Sequence, residues 1–554
     1  MRVLTAAQMR EADRLTIERH GIPSLQLMGN AGTGVVTFLQ KQFSDLAKRQ
    51  ILVLCGKGNN GGDGFVVARL LKQLGASPKV FLFASPEEVR GDALLNLERC
   101  KHAGEGVISV TEAVSWSEWG RSGLDQFEII VDALLGTGLN APVTGFLAQV
   151  ITDVNDAVVR ARRRPTVVAV DMPSGLPSDG GPANGPVIRA DFTVTFTAPK
   201  IGQLLSVDSE KAGELIVRNI GTPPALVEKI VEQVGAEKSD AQDSELHHEM
   251  RWLEPEEFRG LPFHRRPDSN KGLYGHALIV AGARGKAGAA ALSGYGALRS
   301  GAGLVTVATP EDALPTVASY RPELMTAPLA QADAGTVSLR NFEYNRFAEL
   351  LAQKSVLGIG PGLSMNHETQ QFVRRVLLEC PLPIVLDADG LNALAAAPSD
   401  FLEALANRAT PALVLTPHPG EMARLLGSSV AVVQTNRLGS AQRAAEKYNA
   451  FVVLKGFHTI LATPNGNAFI NTTGNPGMST AGTGDVLTGI LAGLTAQFGI
   501  EQWERVIGLG VYLHGVAGDI AAEKTGEASL IASDLIEALP AAFARLNSDL
   551  ENAA

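Results

Sequence analysis

Two glycine-rich turns carry the clearest chemistry in this chain of 554 residues. The first, G-K-G-N-N-G-G-D-G, follows an apolar run that ends at Cys55, and it places Gly56, Gly58 and Gly61 in a G-x-G-x-x-G spacing. Such a turn between a strand and a helix lets backbone amides approach a pyrophosphate. The spacing alone is weak evidence for a dinucleotide site, because a tight turn without a ligand needs the same glycines. The acid expected to hold a ribose after the second strand is missing, which disfavours an NAD-dependent dehydrogenase.

The second turn, A-G-T-G-D, precedes a predicted helix that begins near Asp485. The amides of Gly482, Thr483 and Gly484, together with the helix dipole, are suited to stabilise a phosphoryl group during transfer. Asp485 lies in the same positive field, so we expect it to be ionised and able to accept a proton from a substrate hydroxyl. Upstream, Lys455 in K-G-F-H-T is placed to meet phosphates, although a solvated surface lysine is the commoner interpretation. The Walker A spacing is absent.

Oxygen-bearing side chains follow other apolar runs of the first half. Asp132 opens D-A-L-L-G-T-G-L, and Asp171 and Ser174 lie in D-M-P-S-G. Either aspartate, taken singly, could be a helix cap. Together with the side-chain amide oxygens of Asn59 and Asn60 and with free backbone carbonyls, they offer the hard oxygen ligands of an alkali or alkaline-earth cation. The sequence therefore predicts a cation site and leaves the ion open.

Both halves of the chain alternate short Val/Ile/Leu runs with glycine turns and helical segments, which is typical of parallel βαβ units. An acidic stretch with no aromatic residue separates them, so we predict domains over 1–224 and 251–554 with a linker over 225–250. The predicted strands are Ile51–Cys55, Lys79–Phe83, Phe127–Val131, Thr166–Val170, Thr193–Thr197, Leu215–Arg218, Ala277–Ala281, Leu304–Ala308, Val356–Ile359, Ile384–Leu386, Leu413–Leu415 and Phe451–Leu454. A further strand and an Asn-Gly hairpin turn are predicted after the K-G-F-H-T segment.

Composition excludes several classes of protein. The chain has 48 Lys plus Arg against 58 Asp plus Glu, a net charge of −10, which gives no electrostatic basis for binding a nucleic-acid backbone. Its three cysteines are far apart and support neither a disulfide framework nor a zinc site. The charged N-terminal stretch lacks the apolar core of an export signal, and no apolar run is long enough to span a membrane. A cytoplasmic protein is expected.

The motifs G-N-N-G-G-D-G, D-A-L-L-G-T-G-L and D-M-P-S-G-L, in this order, resemble those of the NAD(P)H-hydrate epimerase family over about Met1 to Pro224. The resemblance implies a Rossmann-like three-layer αβα sandwich, potassium held by Asn60, Asp132 and Ser174, and Asp171 as the catalytic group at the reacting ring. It also implies that the hydrated dinucleotide is bound by Asn59, Asn60, Gly61, Gly62, Asp63, Gly136, Thr137, Gly138, Leu139, Asn140, Ala141, Pro142 and Asp171.

Six motifs of the second half, N-K-G-L-Y-G-H-A-L-I-V-A-G, A-L-R-S-G-A-G-L-V, G-P-G-L-S, L-T-P-H-P-G-E, K-G-x-x-T and A-G-T-G-D, resemble the ADP- or ATP-dependent NAD(P)H-hydrate dehydratase family over about Trp252 to Leu546. The resemblance implies a ribokinase-like α/β domain with Asp485 as its catalytic residue. Hydrate contacts are implied for Ala289, Gly362, His418 and Asp485, although His418 could equally cap a loop. Nucleotide contacts are implied for Lys455, Gly456, Phe457, His458, Thr459 and Gly484.

These resemblances imply a two-domain repair enzyme for hydrated NADH and NADPH. The first domain would interconvert the R and S hydrates, and the second would dehydrate the S epimer through a phosphorylated intermediate with Mg²⁺ and ADP or ATP. Its partners would be these small molecules, without nucleic acid or membrane, in a homo-oligomer of undetermined size. Two alternatives stay open: a vitamin or sugar kinase in the second half, and a non-catalytic binding module in the first.

Overall fold

The computed structural model describes residues 1–119, 121–139, 141–237, 249–406 and 413–552. The chain forms two compact units, Met1–His247 and His248–Ala554. Their boundary falls inside the predicted linker of 225–250. None of the helices within the described ranges has the length and apolar character needed to cross a membrane.

The first unit is a parallel sheet between two layers of helices. Its strands are β1 Ile51–Cys55, β2 Lys79–Leu82, β3 Val107–Ser109, β4 Ile129–Ala133, β5 Thr166–Val170, β6 Phe192–Phe196 and β7 Glu214–Arg218. Its helices are α1 Ala6–His20, α2 Ser24–Gln42, α3 Asn59–Gln73, α4 Gly91–His102, α5 Ala113–Trp119, α6 Gly145–Arg160, α7 Ile201–Leu205 and α8 Pro224–Glu237.

The strand order of the first sheet is β3-β2-β1-β4-β5-β6-β7, and every pair is parallel. Side chains of β1 alternate between the two cores: Val53 packs in one and Leu54 in the other. Burial on both faces explains the uninterrupted apolar runs of the sequence. The order reverses direction between β1 and β4, so the carboxyl ends of these strands form the crevice where such sheets bind ligands.

The second unit contains one ten-stranded sheet. Its strands are β8 Met250–Trp252, β9 His276–Val280, β10 Leu304–Pro310, β11 Met325–Leu329, β12 Val356–Ile359, β13 Ile384–Leu386, β14 Leu413–Leu415, β15 Phe451–Leu454, β16 Thr459–Ala462 and β17 Ala468–Asn471. Its helices are α9 Ala287–Arg299, α10 Leu314–Tyr320, α11 Arg346–Leu351, α12 His367–Glu379, α13 Asp389–Ala395, α14 Ser399–Ala406, α15 Pro419–Leu426, α16 Val430–Thr435, α17 Arg437–Tyr448, α18 Thr483–Phe498, α19 Trp503–Thr525 and α20 Ala532–Asn552.

The second sheet runs β11-β10-β9-β12-β13-β14-β15-β16-β17-β8. It is parallel from β11 to β15, after which β16 and β17 form an antiparallel hairpin. The order reverses between β9 and β12, so this sheet has its own ligand crevice at their carboxyl ends. The α/β class and the two-domain layout predicted from the sequence are confirmed.

The predicted linker is wrong at its N-terminal part. Pro224–Glu237 is helix α8, and its Leu226 and Ile230 pack against Ala12 and Leu15 of α1. The apolar spacing of these residues produces an amphipathic helix, which the acidic composition farther along the chain obscured. At the other end Met250–Trp252 pairs with β17, while 238–248 lie outside the described residues.

Helices α9 and α18 cross at small residues. A Cβ at Gly489 would lie 2.0 Å from the carbonyl oxygen of Ser293, so α18 cannot accept a side chain there without moving. We expect Gly489→Ala to destabilise the second unit by about 1–3 kcal/mol and to lower its unfolding temperature in calorimetry. Gly288 of α9 has open space around it and serves as the control. Gly288→Ala should leave the temperature unchanged or raise it, and equal behaviour of the two variants would contradict the packing argument.

Candidate functional sites

The crevice of the first unit begins at the glycine turn after β1. The amide of Gly56 donates to the carbonyl of Ala133 at 3.0 Å, and a Cβ on Gly56 would lie 2.0 Å from the oxygen of Leu134. A Cβ on Gly61 would lie 1.8 Å from the oxygen of Gly56. These glycines let the turn lie flat against the loop after β4. Helix α3 starts here with no side-chain cap, which leaves its first amides available for an anion.

The three residues implied to hold potassium converge on the loop after β4. Asp132 lies within β4 rather than after it, is fully buried, and accepts from Ser174 Oγ at 2.6 Å and from Ser174 N at 2.8 Å. Burial raises the pKa of Asp132 to about 6, although these hydrogen bonds act to lower it. Asn60 Nδ2 donates to the carbonyl of Leu135 at 2.9 Å, whereas its buried Oδ1 has no hydrogen-bond partner.

The unpartnered oxygen of Asn60 bears on whether this cluster fits a cation. A buried acceptor without a donor costs free energy, and a bound cation would satisfy it. The hydroxyl of Ser174 and the carbonyl of Leu135 supply further hard oxygens beside it. The residues present therefore fit a monovalent cation such as potassium.

Asp171 follows β5 and is held by four groups. Its φ is +62°, a conformation that costs free energy in a residue other than glycine and persists only where neighbours enforce it. Its carboxylate Oδ1 accepts from Lys200 Nζ at 2.5 Å and from Thr195 Oγ1 at 3.2 Å. Its own amide donates to Val194 at 2.8 Å, and its carbonyl accepts from Gln203 Nε2 at 2.6 Å. The carboxylate is thus fixed in one orientation.

The remaining predicted contacts of the first unit lie around this crevice. Asn59 is exposed at the start of α3, whereas Asp63 is buried on the same helix. Ser178 Oγ donates to the carbonyl of Thr137 at 3.3 Å, which links the loop after β5 to the loop after β4. Gly61 and Gly62 are buried, and Gly136, Gly138, Leu139, Ala141 and Pro142 lie in the partly open loop. Asn140 lies outside the described residues.

The crevice of the second unit joins the loops after β9 and β12. The amide of Gly282 donates to the carbonyl of Pro361 at 2.8 Å. A Cβ on Gly362, whose φ is +65°, would lie 3.0 Å from the Cβ of Ala289. The two small residues implied to contact the hydrate therefore touch at the point where the strand order reverses. Asp389 of α13 accepts from the amide of Ser364 at 2.8 Å and ties this loop to the next strand end.

A charged network lies beside the A-G-T-G-D turn. Asp387, at the end of β13, is 1% exposed and accepts from Lys455 Nζ and from Thr488 Oγ1, both at 2.8 Å. A Cβ on Gly484 would lie 3.3 Å from Lys455 Nζ, so the lysine and the turn are in contact. Burial opposes the charge of Lys455, but Asp387 and Glu421 outweigh it and raise its pKa. Lys455 is therefore a partly buried site residue rather than a solvated one.

Asp485 lies in the first turn of α18, which begins at Thr483. Burial raises its pKa to about 6, with a further rise from Asp387 that Lys455 partly offsets. The expected lowering by the helix dipole is therefore outweighed, yet a group with this pKa is still about nine-tenths ionised at pH 7. Gly482, with φ of +94°, caps α18 without a side chain, which leaves the first amides of this helix available for an anion.

His418 caps helix α15. Its Nδ1 accepts a hydrogen bond from the amide of Gly420 at 3.0 Å. In return, the amide of His418 donates to the carboxylate of Glu421 at 2.8 Å. Half of the His418 side chain is exposed, and its Nε2 lies 3.5 Å from Glu421 Oε1. The capping interpretation is thus correct, and the outer edge of the ring is still open to a ligand.

The K-G-F-H-T loop continues from Lys455 into the β16 hairpin. The rings of Phe457 and His458 stack with centroids 4.0 Å apart, and Phe457 is 57% exposed. Thr459 Oγ1 donates to the carbonyl of Gly456 at 3.3 Å. Among the described residues, no three or more His, Cys, Asp or Glu side chains gather as a metal site.

Three residues outside the predicted sets support these sites. Lys200 follows β6 and bonds Asp171, Asp387 bonds Lys455, and His514 Nε2 donates to the carbonyl of Thr483 at 2.9 Å. Burial lowers the pKa of His514 to about 4, so the ring is neutral. The strand-end position of Lys200 in T-A-P-K and of Asp387 in L-D-A-D-G was a usable signal. His514 is inside a long apolar helix and gave none.

Comparisons with known proteins cover both units. The family described as YjeF-related protein N-terminus matches residues 24–202, and the NAD(P)H-hydrate dehydratase family matches residues 277–541. The bifunctional NAD(P)H-hydrate repair enzyme of Moorella thermoacetica is 42% identical over 552 residues, covering 100% of this chain and 98% of its own. The enzyme of the same name from Thermofilum pendens is 39% identical, with the same coverage.

A solved structure resembles the second unit. The ADP/ATP-dependent NAD(P)H-hydrate dehydratase of Bacillus subtilis, co-crystallised with ATP and Mg²⁺, is 30% identical with a TM-score of 0.45, and the match covers 53% of this chain and 98% of that one. The family is shown by the full-length relatives. This chain belongs to the family of bifunctional NAD(P)H-hydrate repair enzymes.

Proposed function

We propose that the chain repairs hydrated NADH and NADPH in two steps, epimerisation of the R and S hydrates in the first unit and nucleotide-dependent dehydration of the S epimer in the second. The observation that carries this is the presence of two crevices at strand ends in one chain whose relatives are similar along its whole length. Each crevice has a glycine turn suited to phosphates and an aspartate: Asp171, held by Lys200 and Thr195, in the first and Asp485, in the first turn of α18, in the second.

The dehydration step begins at Asp485. Its carboxylate takes the proton of the ring hydroxyl, and the oxygen attacks the terminal phosphoryl group of ADP or ATP. The bond between that phosphoryl group and the rest of the nucleotide breaks, and AMP or ADP leaves. The amides of Gly482 to Gly484 and the ammonium of Lys455 stabilise the charge on that phosphoryl group. Phosphate leaves more readily than hydroxide, so the ring nitrogen expels it, and loss of a proton from the neighbouring carbon restores the double bond. Magnesium, when bound with the nucleotide, neutralises phosphate charge.

The stoichiometry of phosphate release tests this chemistry against a kinase. With purified S hydrate and ADP or ATP, one inorganic phosphate should appear for each reduced cofactor recovered, followed by its near-ultraviolet absorbance. A stable phosphorylated product without recovered absorbance would instead identify the second unit as a vitamin or sugar kinase.

Potassium is proposed to bind Asn60, Asp132 and Ser174 and to complete the oxygen cage at the loop after β4. A ligand that binds only the folded protein stabilises it in proportion to its occupancy. We therefore expect the unfolding temperature of the first unit to be higher in KCl than in choline chloride at equal ionic strength, and epimerase activity to fall without potassium. Asn60→Ala, which removes the unpartnered oxygen, should abolish the difference. An unchanged potassium response in this variant would contradict the assignment.

A further inference from the structure

Three carboxyl groups in the first unit share one ammonium. Asp13 of α1, Asp63 of α3 and Asp171 after β5 all interact electrostatically with Lys200. Lys200 is 1% exposed, so its charge is taken out of water and must be compensated within this cluster.

The hydrogen bonds of Lys200 favour one of the three carboxyls. Its ammonium donates to Asp171 Oδ1 at 2.5 Å, Thr195 Oγ1 at 2.8 Å and the carbonyl of Phe196 at 3.1 Å. An ammonium has three donors, so none is left for Asp13 or Asp63. Asp63 is 9% exposed, and among the residues that the structure describes none donates a hydrogen bond to its carboxyl group. Asp63 is thus a buried acid whose carboxyl group accepts no hydrogen bond from the described residues.

Charge counting indicates that this cluster retains a proton. Three carboxylates and one ammonium would leave two uncompensated negative charges in a largely buried site, which is costly. Burial raises the pKa of Asp63 well above its ordinary value, Asp171 and Asp13 raise it further, and Lys200 only partly opposes them. Burial also raises the pKa of Asp13, to about 6. Because Asp63 is buried and accepts no hydrogen bond within the described part of the chain, the retained proton is assigned to its carboxyl group.

We propose that Asp63 is the acid of the epimerase reaction and that Asp171, ion-paired with Lys200, is its base. The proposal rests on the epimerase function proposed above and adds a second catalytic residue to it. Two carboxyls whose surroundings differ in this way can serve as acid and base at the same pH. Asp63 also lies on the helix that the phosphate-binding turn opens, three residues beyond Asn60.

The reaction needs both groups. Asp63 gives its proton to the ring hydroxyl, the carbon–oxygen bond breaks with its electron pair going to the departing water, and the ring nitrogen supplies a pair to form a carbon–nitrogen double bond. Water then adds to the opposite face of that carbon and loses a proton to Asp171. Return of this proton to Asp63 through water restores the site, so there is no net change in protons or electrons.

Asp63→Asn tests the proposal because asparagine has the shape and charge of the protonated acid. The assay follows conversion of purified R hydrate to S hydrate by the intact chain without ADP or ATP. We expect kcat to fall by at least about 100-fold with KM changed less than about 3-fold. A purely structural neutral Asp63 would tolerate asparagine, so wild-type kcat in this variant would overturn the proposal. In H₂¹⁸O the wild-type product should take up label at each inversion, and inversion without label would contradict breakage of the carbon–oxygen bond.

Asp13→Asn is the matched control, because it makes the same change within the same cluster. Its kcat should stay within about 5-fold of the wild type, and a loss in Asp13→Asn with full activity in Asp63→Asn would also overturn the proposal. Dehydration of S hydrate by the same preparations confirms that each variant is intact. A wild-type chain that leaves the spontaneous rate of interconversion unchanged would refute the epimerase function itself, which separates the two failures.

Discussion

Replacement of Asp485 by asparagine is expected to lower kcat for dehydration of the S hydrate by about 10²–10⁴-fold, because the amide cannot take the proton of the ring hydroxyl. The first unit should still interconvert the epimers at the wild-type rate. KM for the nucleotide should change little, since the substitution leaves in place the amides of α18 and the ammonium of Lys455, which are proposed to bind its phosphates.

The pH dependence of the wild-type dehydration rate tests the role of Asp485 as the base independently of any substitution. The pKa of Asp485 is raised to about 6, and the base works only when ionised. The dehydration rate should therefore be level above pH 7 and fall about tenfold per pH unit well below pH 6.

Asp268→Asn is the control for Asp485→Asn. Asp268 lies in an exposed ion pair with Arg266, and this variant should behave as the wild type. A wild-type rate in Asp485→Asn would remove Asp485 from the mechanism.

Asp171→Asn is the second variant for which a large loss is expected, and here the epimerase activity should disappear. The amide cannot accept a proton from water or a hydroxyl, and it exchanges the ion pair with Lys200 for a buried unpaired ammonium. We expect interconversion of R and S hydrates to slow by about 10²–10⁴-fold. Chromatography of the two epimers over time measures it.

The control for Asp171 is an aspartate of the same unit with an exposed partner. Asp156 pairs with Arg160 on the surface of α6, and Asp156→Asn should retain the wild-type rate. Dehydration of S hydrate should be the same in both variants. If Asp171→Asn interconverted the epimers as fast as the wild type, the assigned role of Asp171 would be wrong.

The sequence predicted central strands well and edges poorly. Every predicted strand overlaps an observed one, because strands such as Ile51–Cys55 are buried on both faces and are apolar throughout. Val107–Ser109 and Met325–Leu329 were missed, since these edge strands are partly exposed and the second contains a proline. Helix α8 was missed because the composition of the following segment masked its apolar face.

The candidate sites also contain some features that the sequence predicts and others that it does not. Glycine turns, the strand-end acid Asp171 and the helix-start acid Asp485 are visible in sequence because their spacing follows from backbone geometry. Which side chains pair with one another is not visible in sequence, because the two partners come from distant parts of the chain: Lys200 bonds Asp171 across 29 positions, and Lys455 bonds Asp387 across 68. The burial that raises the pKa of Asp63 and Asp485 also depends on the folded surroundings, which the helix-dipole argument for Asp485 does not include.

Recovery of the reduced cofactor from a mixture of hydrate epimers tests the two-step account most directly. With ADP or ATP and Mg²⁺ supplied, the wild-type chain should restore the near-ultraviolet absorbance of the whole mixture, since the first unit converts R hydrate into S hydrate as the second consumes it. Asp171→Asn should rapidly restore only the share present as S hydrate, and then proceed at the slow spontaneous rate. Complete and equally fast recovery by both chains, or recovery limited to the S share in the wild type, would contradict the account.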